Sequence, residues 1–105
     1  MLATNDILQK CYDRLQDCYG DDLAGVVLYG SVARGEDDNE SDIDLLVLLK
    51  SDFNRWREIK RMVRILFPVQ MESNRYISAK PVAESDFRNG KVAFLRKAKN
   101  EGVAL

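Results

Sequence analysis

The sequence predicts an α/β fold, a small β-sheet with helices packed on it, because runs of two kinds of periodicity alternate along it. Residues 23–29 are a continuous apolar run of strand length, and residues 42–49 read as a second strand, apolar apart from Asp42 and Asp44. Ile7, Cys11, Leu15 and Cys18 recur instead at helical spacing, and so do Trp56, Ile59, Val63, Leu66 and Phe67.

Taken in order, the first helix is expected to be capped by Thr4 or Asn5 and to stop near Gly20. The run Leu-Ala-Gly-Val-Val-Leu-Tyr then reads as a buried strand ending at Gly30-Ser31. A polar loop covers residues 34–41, and the second strand begins at Asp42. Ser51 or Asp52 is placed to cap the second helix, whose apolar side from Trp56 to Phe67 should face the core and which Pro68 should end. Residues 75–82 read as a third strand, in which Pro81 marks an N–H that no neighbour needs. A short last helix is expected within residues 91–100.

Length and composition narrow the function. With 105 residues the chain is read as one domain, residues 1–105. Sixteen basic against 17 acidic residues give a net charge of -1, which argues against nucleic acid held by bulk charge. Arg55, Arg57, Lys60, Arg61 and Arg64 nonetheless crowd one helix, either as an ordinary solvated face or as a docking face for an acidic partner or RNA. No segment has the length and apolarity of a membrane span, and the first residues do not read as a targeting segment, so a cytoplasmic location is expected. Cys11 and Cys18 would lie ~10 Å apart on one helix, too far for a disulfide. The chain has no histidine, so its chemistry must use carboxylates, hydroxyls and metal.

That chemistry is concentrated in residues 30–44. Asp42 and Asp44 alternate with Ile43 in a strand, so both carboxylates point to one face about 7 Å apart along the backbone. Two such anions repel unless a cation neutralises them, and Mg²⁺ favours carboxylate, phosphate and water oxygens. Gly30 lets backbone approach a ligand closely, and Ser31 can present its hydroxyl and the following N–H groups to an anion. A nucleoside triphosphate is therefore expected with its phosphates on the turn and its metal on Asp42 and Asp44. Arg34 would neutralise phosphate charge or pair with an aspartate.

Gly30-Ser31, ten residues, then Asp42-Ile43-Asp44 resembles the signature of the DNA polymerase beta-like nucleotidyltransferase superfamily. The longer run GSVARGEDDNESDIDLLV is most similar to the minimal nucleotidyltransferases of prokaryotes. The resemblance implies a mixed sheet carrying both aspartates, and transfer of a nucleoside monophosphate, AMP from ATP above all, with two Mg²⁺ ions stabilising the attacking and leaving oxygens. It also implies a helical HEPN-type partner protein, toward which the chain acts as antitoxin by modifying a hydroxyl. Active members add a third carboxylate from a later strand; here that position reads as Ser78, with Glu72 and Glu84 flanking. A catalytically impaired nucleotide-binding subunit that neutralises its partner by binding alone is the alternative.

Overall fold

The computed structural model describes residues 3–33, 35 and 41–105. Four strands form one mixed sheet in the order β3-β2-β1-β4, with β1 Leu23–Tyr29, β2 Ile43–Leu49, β3 Ile77–Ala83 and β4 Val103–Ala104. β1 pairs antiparallel with β2 and β4, whereas β2 and β3 are parallel. Parallel neighbours need a long crossover, which α3, Arg55–Met71, provides.

α1, Thr4–Tyr19, packs with α3 on one face of the sheet. The core there joins Ile7, Cys11 and Leu15 of α1 to Met62, Ile65, Leu66 and Val69 of α3, across Ile43, Leu45 and Val47 of the sheet. The opposite face carries Val27, Leu46 and Leu48 under Leu95 and Ala98 of α5, Ala93–Glu101. β2 is therefore apolar on both sides because it is covered on both sides.

α1 is one residue longer at its start than the capping signal suggests. Thr4 is already helical, and Ala3, which has no side-chain bond to give, is the cap. Tyr19, not Cys18, completes the buried stripe, since the sequence 7, 11, 15 continues at 19 in steps of four. The Tyr19 hydroxyl donates to the buried Glu58 carboxylate at 2.9 Å, and the Arg61 guanidinium stacks 4.5 Å from its ring centre. Burial, then the bond to Glu58, pushes the Tyr19 phenol well above its ordinary pKa. Both cysteines are free thiols, and burial pushes the Cys11 thiol up to about 12.

α3 departs more from expectation. Its cap is Asn54, whose side chain accepts from the Arg57 N–H at 3.0 Å, rather than Ser51 or Asp52. Pro68 lies inside the helix, which continues to Met71. The extra turn survives because Val69 is buried and Gln70 bridges to β3, donating to the Arg75 carbonyl and accepting from the Ile77 N–H, both at 2.8 Å. The face expected in the core is also rotated. Met62, Ile65, Leu66 and Val69 are buried, while Trp56, Val63 and Phe67 face solvent. The helix carries two apolar stripes, and helical spacing alone does not say which one the sheet receives.

α4, Glu84–Asn89, and the two-residue β4 are elements the sequence reading lacks. Pro81 sits in β3 as anticipated, on an edge strand. Ile43 donates its N–H to the Tyr76 carbonyl at 2.8 Å, which sets the N–H groups of Ser78, Lys80 and Val82 toward β2. The nitrogen of Pro81 then faces outward, where no ladder bond is lost. Among the described residues no helix is long and apolar enough to cross a membrane.

Candidate active site

Asp44 is the second residue of β2 and stands opposite Tyr29, the last residue of β1. The chain then turns at Gly30, whose φ is +80°. A Cβ built on Gly30 would lie 2.8 Å from Asp44 Oδ2. Glycine thus meets two demands at once, a left-handed backbone and room for a carboxylate oxygen. The Asp44 carboxylate therefore faces the turn across adjoining strands, as the spacing of the motif requires.

Gly30 opens a single helical turn, α2, Gly30–Ala33, which contains the Ser31 backbone. The Ser31 side chain and Arg34 lie outside the described residues. Asp42 is exposed and precedes β2, which starts one residue later than the sequence suggests. Ile43 between the two aspartates is fully buried and bonded to Tyr76. With Ile43 directed into the core, pleating sends both acidic side chains to the other face.

The electrostatics agree with that placement. Burial raises the Asp44 carboxyl above the ordinary carboxylate pKa, the Asp42 charge raises it further, and the Lys80 ammonium opposes both. Tyr29 is raised as well, by burial and then by Asp44. Lys80 belongs to β3, two residues beyond Ser78 and so on the same face, and Ser78 pairs in register with Asp44. The Lys80 Nζ lies 5.7 Å from the centre of the Phe94 ring, whose other contact is Tyr29, edge-on with centres 5.5 Å apart.

Sequence reasoning missed Tyr29, Lys80 and Phe94. Two were readable: Lys80 shares the face of Ser78 by strand alternation, and Tyr29 directly precedes the glycine-serine turn. Phe94 comes from a distant helix and gave no signal. Tyr29, Gly30, Phe94, Lys97 and Glu101 line a cavity of about 240 Å³ beside the turn. On the far side of Phe94 a larger hollow of about 510 Å³ is lined by Leu46, Lys80, Val82, Val92 and Leu95 among others.

The donor set fits a hard divalent cation. Two carboxylates share one face, burial and then the Asp42 charge raise Asp44, and Gly30, lacking a Cβ, leaves room for Oδ2. Among the described residues no group of three or more His, Cys, Asp or Glu side chains gathers to hold a metal. Ser78 occupies the place beside Asp44 where a third carboxylate was sought. Glu72 is paired with Lys10 at 3.0 Å, and Glu84 begins α4 beyond the far end of β3, within 3.8 Å of Arg88. Among the described residues, neither of these glutamates stands next to Asp44.

With this geometry in view, the chain can be set beside known proteins. The profile of the nucleotidyltransferase domain family matches residues 8–103. Two Methanocaldococcus jannaschii proteins, both described as candidate protein adenylyltransferases, are similar in sequence. One is 32% identical over 100 residues, 95% of this chain and 96% of its own length. The other is 43% identical over 47 residues, 45% of this chain, and the match spans 32% of that relative. In fold, the chain resembles a crystal structure described as a candidate nucleotidyltransferase from Sulfolobus solfataricus, with a TM-score of 0.67 at 18% identity over 94% of this chain and 76% of that one. It also resembles a chain from the crystal structure of a toxin-antitoxin with AMP-PNP, with a TM-score of 0.55 at 18% identity, covering 91% of this chain and 69% of that one.

Proposed function

Because this chain belongs to the nucleotidyltransferase domain family, we propose that residues 1–105 act as one minimal nucleotidyltransferase domain moving AMP from ATP to a hydroxyl on a partner protein. The observation that carries this reading is the Asp44 carboxylate held against the Gly30 turn. In it, Asp42 and Asp44 hold Mg²⁺, and Gly30, Ser31 and Arg34 receive the phosphates. The ion supplies charge neutralisation for the entering and leaving oxygens of an in-line displacement.

The chain's own residues set the stage. Ile43, locked in the core, fixes the strand so that both carboxylates stay on one side. Partial burial of Asp44 lessens its screening by water, so a cation binding there gains more than at an exposed aspartate. Lys80, near Asp44 and Phe94, offers a positive charge to a triphosphate, and the exposed Phe94 ring offers a face to its base.

The names of the two relatives support AMP as the transferred group, and the toxin-antitoxin neighbour supports a protein partner. The motif's resemblance to minimal nucleotidyltransferases is what suggests a helical HEPN-type toxin as that partner, with this chain as its cytoplasmic antitoxin. Incubating chain and helical partner with Mg²⁺ and ATP labelled in the α-phosphate should label the partner and release pyrophosphate. Asp44→Asn should abolish both. Label transfer that persists in the Asp42→Asn, Asp44→Asn double variant sinks the mechanism.

Ser78 favours a second reading, in which the chain holds nucleotide and regulates its partner by binding alone. Partner binding unchanged by Asp42→Asn, with no pyrophosphate released under any condition, would select it.

A further inference from the structure

The rotation of α3 leaves an apolar stripe uncovered. Trp56, Val63, Phe67 and Met71 follow one another along the helix, and each is between 57% and 70% exposed, as is Tyr76 on the segment leading into β3. Steps of seven and four residues keep these α3 side chains on one side of the helix for its whole length. Beside the stripe, the groove between α3 and the edge strand β3 is a cavity of about 230 Å³ lined by Ile59, Val63, Leu66, Phe67, Tyr76 and Ser78 among others. An exposed aromatic and aliphatic strip of this kind, interrupted only by Lys60 between Trp56 and Val63, is uncommon on an isolated protein and marks an interaction surface.

Charge tells what covers it. Arg55, Arg57, Lys60, Arg61 and Arg64 share the helix with one acid, Glu58, which is buried. Arg57 and Arg61 turn to Glu58, but Arg55, Lys60 and Arg64 have no ion pair among the described residues. A second copy of this chain packing two-fold on the strip would set these cations against their own duplicates, which costs free energy. A single-stranded nucleic acid would use the charges and rings, yet leave Val63, Ile59 and Met71 unmatched. A protein face that is apolar at its centre and acidic at its rim satisfies both features.

We infer that the α3 stripe and the α3–β3 groove are a docking surface for a partner protein whose contact face is apolar and ringed with carboxylates. The groove ends on Ser78 and Lys80, of which Ser78 pairs in register with Asp44. A partner seated there reaches the candidate active site past the open edge of β3. Only this last step rests on the proposed transfer reaction; the docking itself needs no nucleotide.

Trp56 is the chain's one tryptophan and lies in the stripe, so its emission reports docking directly. The probes are two synthetic amphipathic helices with the same leucine stripe, one flanked by glutamates and the other by lysines, titrated into the full chain without nucleotide. The glutamate-flanked helix should blue-shift Trp56, bind more weakly as salt rises, and lose about tenfold in affinity to the exposed-site variant Lys60→Glu, Arg64→Glu. Asp44→Asn should bind it unchanged, so loss of transfer activity and loss of docking are separately visible. Equal binding of both helices, or of neither, overturns the inference. So does quenching of Trp56 by oligouridine in preference to the acidic helix, or a dimer at micromolar concentration in sedimentation that buries Trp56.

Discussion

Replacing Gly30 with alanine tests the site at its closest contact. The residue has φ +80°, and the added methyl carbon would sit 2.8 Å from Asp44 Oδ2. A left-handed conformation costs a residue with a Cβ about 1–2 kcal/mol. The Asp44 carboxylate, the end of a side chain rather than backbone, must also swing aside by several tenths of an ångström. Gly20→Ala supplies the control, because φ there is +55° and a Cβ would meet nothing within 4 Å. Both variants should unfold earlier in urea or heat, at about 4–8 °C per kcal/mol lost. Only Gly30→Ala should also weaken Mg-ATP binding in calorimetric titration, since only there does the methyl displace a proposed metal ligand. If the two variants bind Mg-ATP equally well, Asp44 does not meet its ligand against the turn.

Three further outcomes follow. Asp44→Asn should stabilise the metal-free protein at neutral pH. A carboxyl whose folded pKa is raised binds protons more tightly in the native state, so the wild type loses stability as pH climbs from the unfolded value near 3.9 through the raised one. The asparagine variant should lack that decline in melts across the acid range. It should also lack the gain from Mg²⁺, about 1.4 kcal/mol for the wild type at ten times the dissociation constant. Tyr19→Phe removes the donor to the buried Glu58 and should cost about 1–3 kcal/mol in urea unfolding, with no change in nucleotide binding. Ile43→Ala, at a fully buried position between the aspartates, should cost about 2–5 kcal/mol and loosen the hold of both carboxylates, seen as weaker metal binding.

What could be read from the chain beforehand follows from how local each signal was. The Gly30-Ser31 turn and the Asp42-Ile43-Asp44 alternation are short-range patterns, and β1 and β2 on either side are long apolar runs. Of these, the placement of Asp44 beside the Gly30 turn came out as anticipated. Ser78, on a recognisable strand, lies in register with Asp44. α3 was legible as a helix but not as a packed helix, because two stripes compete and the winner depends on how α1 and the sheet meet it. Glu58 shows the same limit: a charged residue is buried since Tyr19, remote in sequence, joins Arg61, one turn along the same helix, in satisfying it. α4 and β4 are too short to leave a periodicity. Phe94 enters the site only through the return of α5 across the sheet, where it meets Lys80.

Pro81 has a bearing on how such an exposed surface stays safe. An unpaired strand flank invites other chains to zip onto it, and hydrophobic surroundings worsen the hazard. Here the outer row of donors is missing a rung at its middle, so a would-be ribbon loses its bond just where the ladder should propagate. A visitor to this flank must therefore hold on by shape and charge rather than by extending the sheet, which leaves the molecule sticky to chosen companions yet resistant to stacking into fibres.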